Sequence, residues 1–158
     1  MKSRILLLTL AVVSSSYAGV RWWSADKAYS IIPPLDWSLI TSKSEQGSSY
    51  AFKSPDGKAE IRISAAYQIQ LPETMPDDVL EMAFLEERGT TPITHVRGDG
   101  WDGLHREYTD ADESSRWLGI AARHNSTVVL LTMKAPEKDF ESFRPAFDSV
   151  AQSLTLAQ

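Results

Sequence analysis

The stretch that decides the fold is Thr127–Met133, TVVLLTM, together with residues 136–154, PEKDFESFRPAFDSVAQSL. The first segment alternates three apolar residues on one face with Val128 and Leu130 on the other, so it predicts a strand in the middle of a sheet. The second segment repeats apolar residues at steps of three and four, which predicts a helix packed on that sheet. The helix stripe consists of Phe140, Phe143, Phe147, Val150 and Leu154.

Pro145 lies inside this helical stretch. A proline in a regular helix costs about 3 kcal/mol, because it lacks the amide donor and clashes with the preceding turn. We therefore predict a short turn over Asp139–Phe143 and a new helix that begins with Pro145, where no amide donor is needed.

Short strand-like segments separated by turn-rich connections fill most of the remaining chain. The clearest is residues 59–69, where Ile61, Ile63, Ala65, Tyr67 and Ile69 share the inward face, joined by the turn Pro55–Lys58 to the strand before it. A helix is predicted over Asp77–Arg88, with acids in its first turn and glycine after its end. The other predicted strands end before Pro33 or cover Trp37–Lys43, Ser49–Ser54, Ile93–Arg97, Gly103–Thr109 and Arg116–Arg123.

The first eighteen residues have the order of a secretory signal peptide: Lys2 and Arg4, an apolar run from Ile5 to Val13, and small residues that end at Ala18. We predict cleavage after Ala18 and one mature domain, residues 19–158. The apolar run is too short for a permanent membrane anchor, and no second such run follows it. The mature domain is thus expected to be periplasmic or secreted, with no integral membrane segment.

The amino-acid composition argues against several classes of binding partner and reactive site. Cleavage removes two of the sixteen basic residues and no acidic ones, so the formal net charge falls from −5 to −7. An acidic domain is a poor candidate for binding nucleic acid or an anionic membrane. The chain has no cysteine, which excludes disulfides, thiol nucleophiles and thiolate metal sites.

No motif indicates a specific reaction. His95 and His105 on neighbouring strands, with Asp99 or Glu107, make a two-histidine site conceivable, but the spacing is not that of a metal motif. Residues 110–114 resemble the start of a calcium loop, yet Ser115 replaces the required glycine, so a hairpin tip is the better interpretation. The Ser-x-x-Lys match at Ser24–Lys27 lacks its companion motifs. We predict no catalytic residue, no metal and no cofactor.

Tryptophan is the more informative residue type, because five in a domain of this size exceed what a core usually needs. Trp22 and Trp23 are adjacent, so their rings point to opposite faces of an extended chain. Trp101 lies with Asp99 and Asp102 in the glycine-rich segment GDGWDG. A loop at this segment would present Trp101 to solvent. Exposed tryptophan favours protein interfaces and sugar-binding surfaces, although closure of the core is an alternative. The candidate partner contacts are Trp22, Trp23, Trp101, Asp99 and Asp102.

Two patterns resemble the PsbP-like family. They are Tyr29-Ser30-Ile31-Ile32-Pro33-Pro34-Leu35-Asp36-Trp37 near the start and Phe140-x-x-Phe143-x-Pro145-x-Phe147-x-x-Val150-x-x-Ser153-Leu154 at the end. The resemblance covers nearly the whole mature chain but rests on core and turn residues. It implies an α+β fold in which helices pack on the faces of a central antiparallel sheet. Family members include a photosystem subunit, a yeast Ran-binding factor and bacterial envelope proteins, and the resemblance implies binding of another protein without catalysis.

The leading expectation is a non-catalytic interaction or accessory module of the bacterial envelope, with another envelope protein as partner. This expectation requires an exposed apolar patch rimmed by acids. The alternatives are a small-ligand or glycan binder that uses a cleft beside the sheet, a periplasmic toxin-immunity protein and, ranked lowest, a hydrolase.

Overall fold

The computed structural model describes residues 19–44, 47–66, 92–110, 114–125 and 127–157. The predicted signal peptide, residues 1–18, lies outside the described residues. So do the predicted helix Asp77–Arg88 and the inward positions Tyr67 and Ile69 at the end of the predicted strand.

The described residues form a seven-stranded antiparallel sheet in the order β3-β4-β5-β9-β8-β7-β6. Every neighbouring pair is antiparallel, as the short connections predicted. The strands are β3 (Ser38–Ser44), β4 (Gly47–Lys53), β5 (Glu60–Ala66), β6 (Thr94–Gly98), β7 (Trp101–Asp110), β8 (Ser115–His124) and β9 (Thr127–Pro136).

A smaller antiparallel sheet lies beside the large one. It consists of β1 (Trp22–Trp23), β2 (Tyr29–Ile31) and β10 (Thr155–Leu156), with β2 in the centre. Tyr29, Ile31 and Leu156 are buried in the same core cluster as the large sheet, so the two sheets share one core.

The strand β9 is the centre of the large sheet, as its two apolar faces predicted. Val129, Leu131 and Met133 are fully buried on one face, which we call the helix face because the helix packs there. On the opposite face, Val128 and Leu130 pack beside buried Leu104 and Ala121. Burying both faces explains the nearly unbroken apolar sequence of β9.

The helix α1 (Phe140–Ser153) is continuous, so the predicted break before Pro145 is wrong. Pro145 lies inside the helix on its exposed side. The carbonyl that loses its amide donor is that of Glu141, an exposed residue within reach of water. Phe140 before the proline and Phe147 after it are both fully buried, and tertiary packing of one stripe outweighs the local cost of proline.

An ion-pair cluster fastens the start of α1 to the sheet. Arg144 donates two hydrogen bonds to the Glu107 carboxylate at 2.7 and 2.9 Å, and Arg116 donates a third at 2.8 Å. The two guanidinium groups also lie over the ring of Phe140, at 4.8 and 5.1 Å from its centroid. The hydrogen bonds from Arg144, followed by those from Arg116, lower the pKa of Glu107 to about 2. We call Glu107, Arg116, Arg144 and Phe140 the seam cluster.

The hairpin predicted at Pro55–Lys58 is confirmed. Gly57 takes the positive φ of 70°, and the Ser54 hydroxyl donates to Asp56 at 2.6 Å while accepting from the Ala59 amide at 2.9 Å. The inward residues Ile61, Ile63 and Ala65 of the following strand are buried. The two strands are therefore joined and aligned as the sequence predicts.

In the described residues the fold is mainly antiparallel β-structure with one helix on one face. This confirms the predicted antiparallel sheet and its C-terminal helix. Within the same residues, no helix has the length and apolar character needed to cross a membrane.

We expect Glu107→Gln to lower the free energy of unfolding at pH 7 by about 2 kcal/mol, because three charged hydrogen bonds lose their carboxylate. The folded pKa of Glu107 lies below its ordinary value of 4.5. The contribution of its charge is thus complete above about pH 4.5 and disappears as the pH falls towards 2. Urea unfolding of both proteins across this pH range should show the difference shrinking. Glu137→Gln, at an exposed carboxylate, is the control, and a difference that does not depend on pH would contradict the assignment.

Candidate functional site

The adjacent tryptophans on β1 divide between core and surface, as alternation predicts. Trp22 packs edge-on against Tyr50 and Phe52 of β4, with ring centroids 4.6 and 5.4 Å away. Trp23 points to the other side of the strand and is 38% exposed. Of this pair, Trp23 is thus the residue with indole surface available to a partner.

Trp101 is buried, so the hypothesis that its loop presents it to solvent is wrong. Only Asp99 and Gly100 separate the paired residues Gly98 and Trp101, and Trp101 is the first residue of β7. Its ring covers Gly98, where a Cβ atom would collide with the indole. Its Nε1 donates to the Leu154 carbonyl at 2.9 Å. Trp101 therefore joins the hairpin to the end of α1.

The two predicted acidic contacts do not form one site. Asp99 is exposed in the turn, and its carbonyl accepts a hydrogen bond from the Leu156 amide at 3.4 Å. Asp102 is exposed on the opposite face, where Arg123 donates two hydrogen bonds to it at 3.0 and 3.1 Å. Asp99 lies beside β10, and the width of the small sheet separates it from Trp23.

The conceivable two-histidine site does not form. His95 pairs with Leu104 and Thr94 pairs with His105, so the two imidazoles lie on opposite faces of the sheet. Burial lowers the pKa of His105, and its Nδ1 lies 3.3 Å from the Thr94 hydroxyl. In the part of the chain that the structure describes, no group of three histidine or acidic side chains could hold a metal ion.

Ser24 is a buried residue of a hydrogen-bonded turn. Its hydroxyl is buried and donates to Asp26 at 2.6 Å, and it accepts from the Tyr29 amide at 3.3 Å. The same arrangement of bonds occurs at Ser54, with Lys27 and Gly57 in the corresponding positive-φ position. The Ser-x-x-Lys match is thus part of a turn. Residues 111–113 of the rejected calcium loop lie outside the described residues.

Exposed large apolar side chains fall within one stretch of the chain. Among the described residues, the large hydrophobic side chains that remain exposed all lie between positions 20 and 40 of the chain. They are Val20 (86% exposed), Trp23 (38%), Leu35 (65%), Leu39 (45%) and Ile40 (46%). We call these five residues the apolar edge surface.

Three elements carry these residues. Trp22 of β1 rests on β4, the strand that neighbours the edge strand β3. Gly19 lies against the backbone of Pro33, so the segment that carries Val20 runs beside the turn that carries Leu35. Asp36 follows in that turn with a φ of 69° and an exposed side chain. The edge strand and its neighbours thus present apolar side chains with an acid at their margin.

A shallow groove continues from Ile40 across β4 and β5 on the opposite face. Its volume is about 220 Å³, and its lining comprises Ile40, Ser49, Ala51, Lys53, Glu60 and Arg62. Glu60 pairs with both cations, at 3.7 Å from Lys53 Nζ and 2.8 Å from Arg62. Two cations therefore share one carboxylate in the groove.

Sequence reasoning missed Leu35, Leu39 and Ile40. The adjacent Leu39 and Ile40 point to opposite faces of β3, so both can be exposed only if neither face is covered at that strand. The pattern Ser-Leu-Ile-Thr was the available signal, since it lacks the alternation of a half-buried strand.

The fold can now be compared with known proteins. No family model and no curated protein sequence matches the chain. Among solved structures, cyanobacterial PsbP (CyanoP) from Synechocystis sp. PCC 6803 superposes with a TM-score of 0.65 over 96% of this chain and 99% of that chain, at 13% sequence identity. The chain has a PsbP-like fold. The resemblance predicted from the core and turn residues is confirmed at this level.

Two further structures share the PsbP-like arrangement. LpqN of Mycobacterium tuberculosis, which is described as involved in cell envelope biogenesis, has a TM-score of 0.53 and 13% identity over 88% of this chain and 90% of its own. A protein from Bacteroides thetaiotaomicron has a TM-score of 0.61 and 16% identity over 89% of this chain. The match spans 49% of that Bacteroides protein. At these identities the likeness is one of fold.

We expect Trp101→Phe to destabilise the domain by about 2 kcal/mol, because it removes the indole hydrogen bond and leaves the Leu154 carbonyl without its donor. Trp23→Phe is the matched control, since that ring is partly exposed and makes no such bond. Denaturant unfolding measures both. Unchanged stability in Trp101→Phe, combined with weaker binding of a partner, would instead restore Trp101 as a contact residue.

Proposed function

We propose that the mature chain is a non-catalytic accessory module of the bacterial envelope that binds another protein through the apolar edge surface. The single observation that carries the proposal is the concentration of exposed large apolar residues between positions 20 and 40. Large apolar side chains left exposed on a folded domain are candidates for an interaction site. LpqN, a protein involved in cell envelope biogenesis, supports the envelope context through the shared fold.

The proposed location follows from the sequence. The order of charged, apolar and small residues before Gly19 is that of a signal peptide cleaved after Ala18, and the mature chain, residues 19–158, would then reach the periplasm or the exterior. The absence of cysteine is compatible with an export route that requires no disulfide formation.

The proposal includes the absence of catalysis. It is supported by the structural role of Glu107 and Arg144, two groups with strongly shifted pKa values. Perturbed pKa values often indicate an active site. Here the pKa of Glu107 is lowered and that of Arg144 is raised chiefly by their mutual hydrogen bonds, which hold α1 on the sheet. These groups are engaged in fastening the fold.

A second candidate function is the binding of a small anionic ligand in the groove beside β3. Lys53 and Arg62 share a single carboxylate there, and Ile40 and Ala51 supply apolar contacts. The volume of about 220 Å³ is below the roughly 300–1,000 Å³ of typical small-molecule sites. Protein binding is therefore the better-supported function.

We also propose a second helical layer, over the opposite face. β5 and β6 run parallel with three strands between them, so their connection must cross the sheet. The helix face is filled by α1, while the opposite face carries the apolar cluster around Leu104 and Ala121. The helix predicted over Asp77–Arg88 has the right place in the chain to cover that cluster.

The binding function predicts that Leu35→Ser combined with Leu39→Ser weakens partner binding at least about tenfold, since each side chain loses apolar contact worth on the order of 1 kcal/mol. Stability should change little, because both residues are exposed. Affinity capture by the mature domain from its own envelope extract measures retention of the partner. Lys138→Ser combined with Gln152→Ser, at exposed positions elsewhere, is the control. Equal retention by both double variants would contradict the proposed surface.

The second layer predicts nuclear Overhauser contacts from the Val79 or Met82 side chains to Leu104 or Leu130. These contacts require the predicted helix to lie on the opposite face. Contacts from the same side chains to α1 would contradict the arrangement.

A further inference from the structure

The outer edge of β3 pairs with no other strand among the residues that the structure describes. β3 is the terminal strand of the large sheet in the part of the chain that the structure describes. Two residues separate the paired Ser44 and Gly47, so this pair is the hydrogen-bonded pair next to the turn. Hydrogen-bonded pairs then recur at every second residue of β3, through Ile40 to Ser38. The peptide groups of Leu39 and Thr41 therefore face away from β4.

Apolar side chains flank these open peptide groups on both faces. Leu39 lies on the helix face beside Phe52, its partner on β4, and Ile40 lies on the opposite face beside Ala51. Both are about half exposed. An edge that combines free backbone donors and acceptors with apolar side chains on both faces is suited to another strand, and natural proteins normally protect such edges.

We infer that β3 receives an extended segment of a partner protein as an added strand of the large sheet, and that this segment carries an acidic side chain opposite Ser38. The inference rests on the proposed function, since it specifies how the apolar edge surface binds. The backbone supplies the pairing, while Leu39 and Ile40 select apolar neighbours on the two faces.

The cations of the groove are the reason why the added strand should carry an acidic residue opposite Ser38. Lys53 pairs with Ser38 across β3 and β4, and both side chains lie on the opposite face. A residue added opposite Ser38 would lie two strand spacings, about 10 Å, from the Lys53 backbone. The small serine leaves room between them, and a glutamate and a lysine side chain together span that distance. Among the described residues, Lys53 and Arg62 both pair with Glu60, so a second carboxylate complements the charge.

A second copy of this chain satisfies these requirements less well. The β3 sequence, SLITSKS, contains no acid. Antiparallel pairing of two copies about Ile40 would place Ser42 opposite Ser38 and leave Lys53 without a new carboxylate. Each mature chain also has a formal charge of −7, which opposes self-association. The observations therefore favour a segment of a different protein.

The test uses a synthetic peptide, acetyl-TTTVVVET-amide, aligned antiparallel so that its glutamate lies opposite Ser38. Binding to the mature domain is followed by NMR titration up to about 1 mM peptide, a range that detects weak strand pairing. We expect amide hydrogen exchange at Leu39 and Thr41 to slow about tenfold near saturation, because strand addition gives these outward amides partners.

Thr41→Pro and Thr41→Val form the matched pair of variants. Proline removes an outward donor and spares the β3–β4 hydrogen bonds, whereas valine keeps the donor. We expect about tenfold weaker peptide binding for Thr41→Pro and near-normal binding for Thr41→Val. Replacing the peptide glutamate by glutamine should weaken binding about threefold, and Lys53→Met should abolish that difference. The exchange measurement on the unmodified domain is independent of how well Thr41→Pro folds.

Several results would overturn the inference. They are no binding of the peptide, binding that leaves the Leu39 and Thr41 amides unprotected, equal affinity for folded Thr41→Pro and Thr41→Val, or self-association that Thr41→Pro abolishes. Failure of the proposed function is distinguishable. A natural partner lost by the Leu35/Leu39 variant but retained by Thr41→Pro would preserve the binding surface and remove strand addition, whereas retention by both would remove the surface itself.

Discussion

The structure depends on how α1 is held against the sheet. The seam cluster uses Glu107 on β7, Arg116 on β8 and Arg144 on α1, and both guanidinium groups lie over the ring of Phe140. Two hydrogen bonds from Arg144 to one partly buried carboxylate fix the helix in position, and a third from Arg116 joins β8 to the same carboxylate. The stripe from Phe140 to Leu154 then covers the centre of the helix face. Because charged hydrogen bonds are directional and apolar packing is not, the cluster determines where the helix begins and the stripe supplies most of the burial.

This placement of α1 determines which strands remain uncovered. The helix and its core contacts occupy β5, β9 and β8, and Trp22 extends the cover to β4. Nothing comparable among the described residues covers β3, so Leu39 remains exposed on the same face that is fully buried at Leu131. The apolar edge surface is thus a consequence of where the cover ends. Gly19 lies against Pro33, which brings Val20 close to the turn that carries Leu35.

The sequence predicts features that depend on short-range pattern, and it fails where distant contacts decide. The two apolar faces of β9 and the turn at Gly57 were readable because periodicity and positive φ act locally. The continuity of α1 through Pro145 cannot be predicted from local pattern, since it depends on contacts with strands far away in the chain. The composition of GDGWDG predicts one loop, whereas Asp99 and Gly100 alone form the turn and Trp101 already belongs to β7. The exposure of Leu39 and Ile40 follows from the edge position of β3, and strand order is a property of the whole sheet.

The energetics of the apolar edge surface bear on how it binds. Full burial of a large apolar side chain contributes about 1.5–3 kcal/mol, and the exposed members of this surface are already partly buried, so their combined gain is on the order of 5 kcal/mol. Association costs roughly 4–15 kcal/mol in lost translational and rotational freedom. Side-chain burial alone would therefore give weak binding at best. Backbone hydrogen bonds to the outward peptide groups of Leu39 and Thr41, together with a carboxylate near Lys53, supply additional interactions within the same small area. An extended partner segment uses all three contributions at once, whereas a flat apolar contact would use only the first.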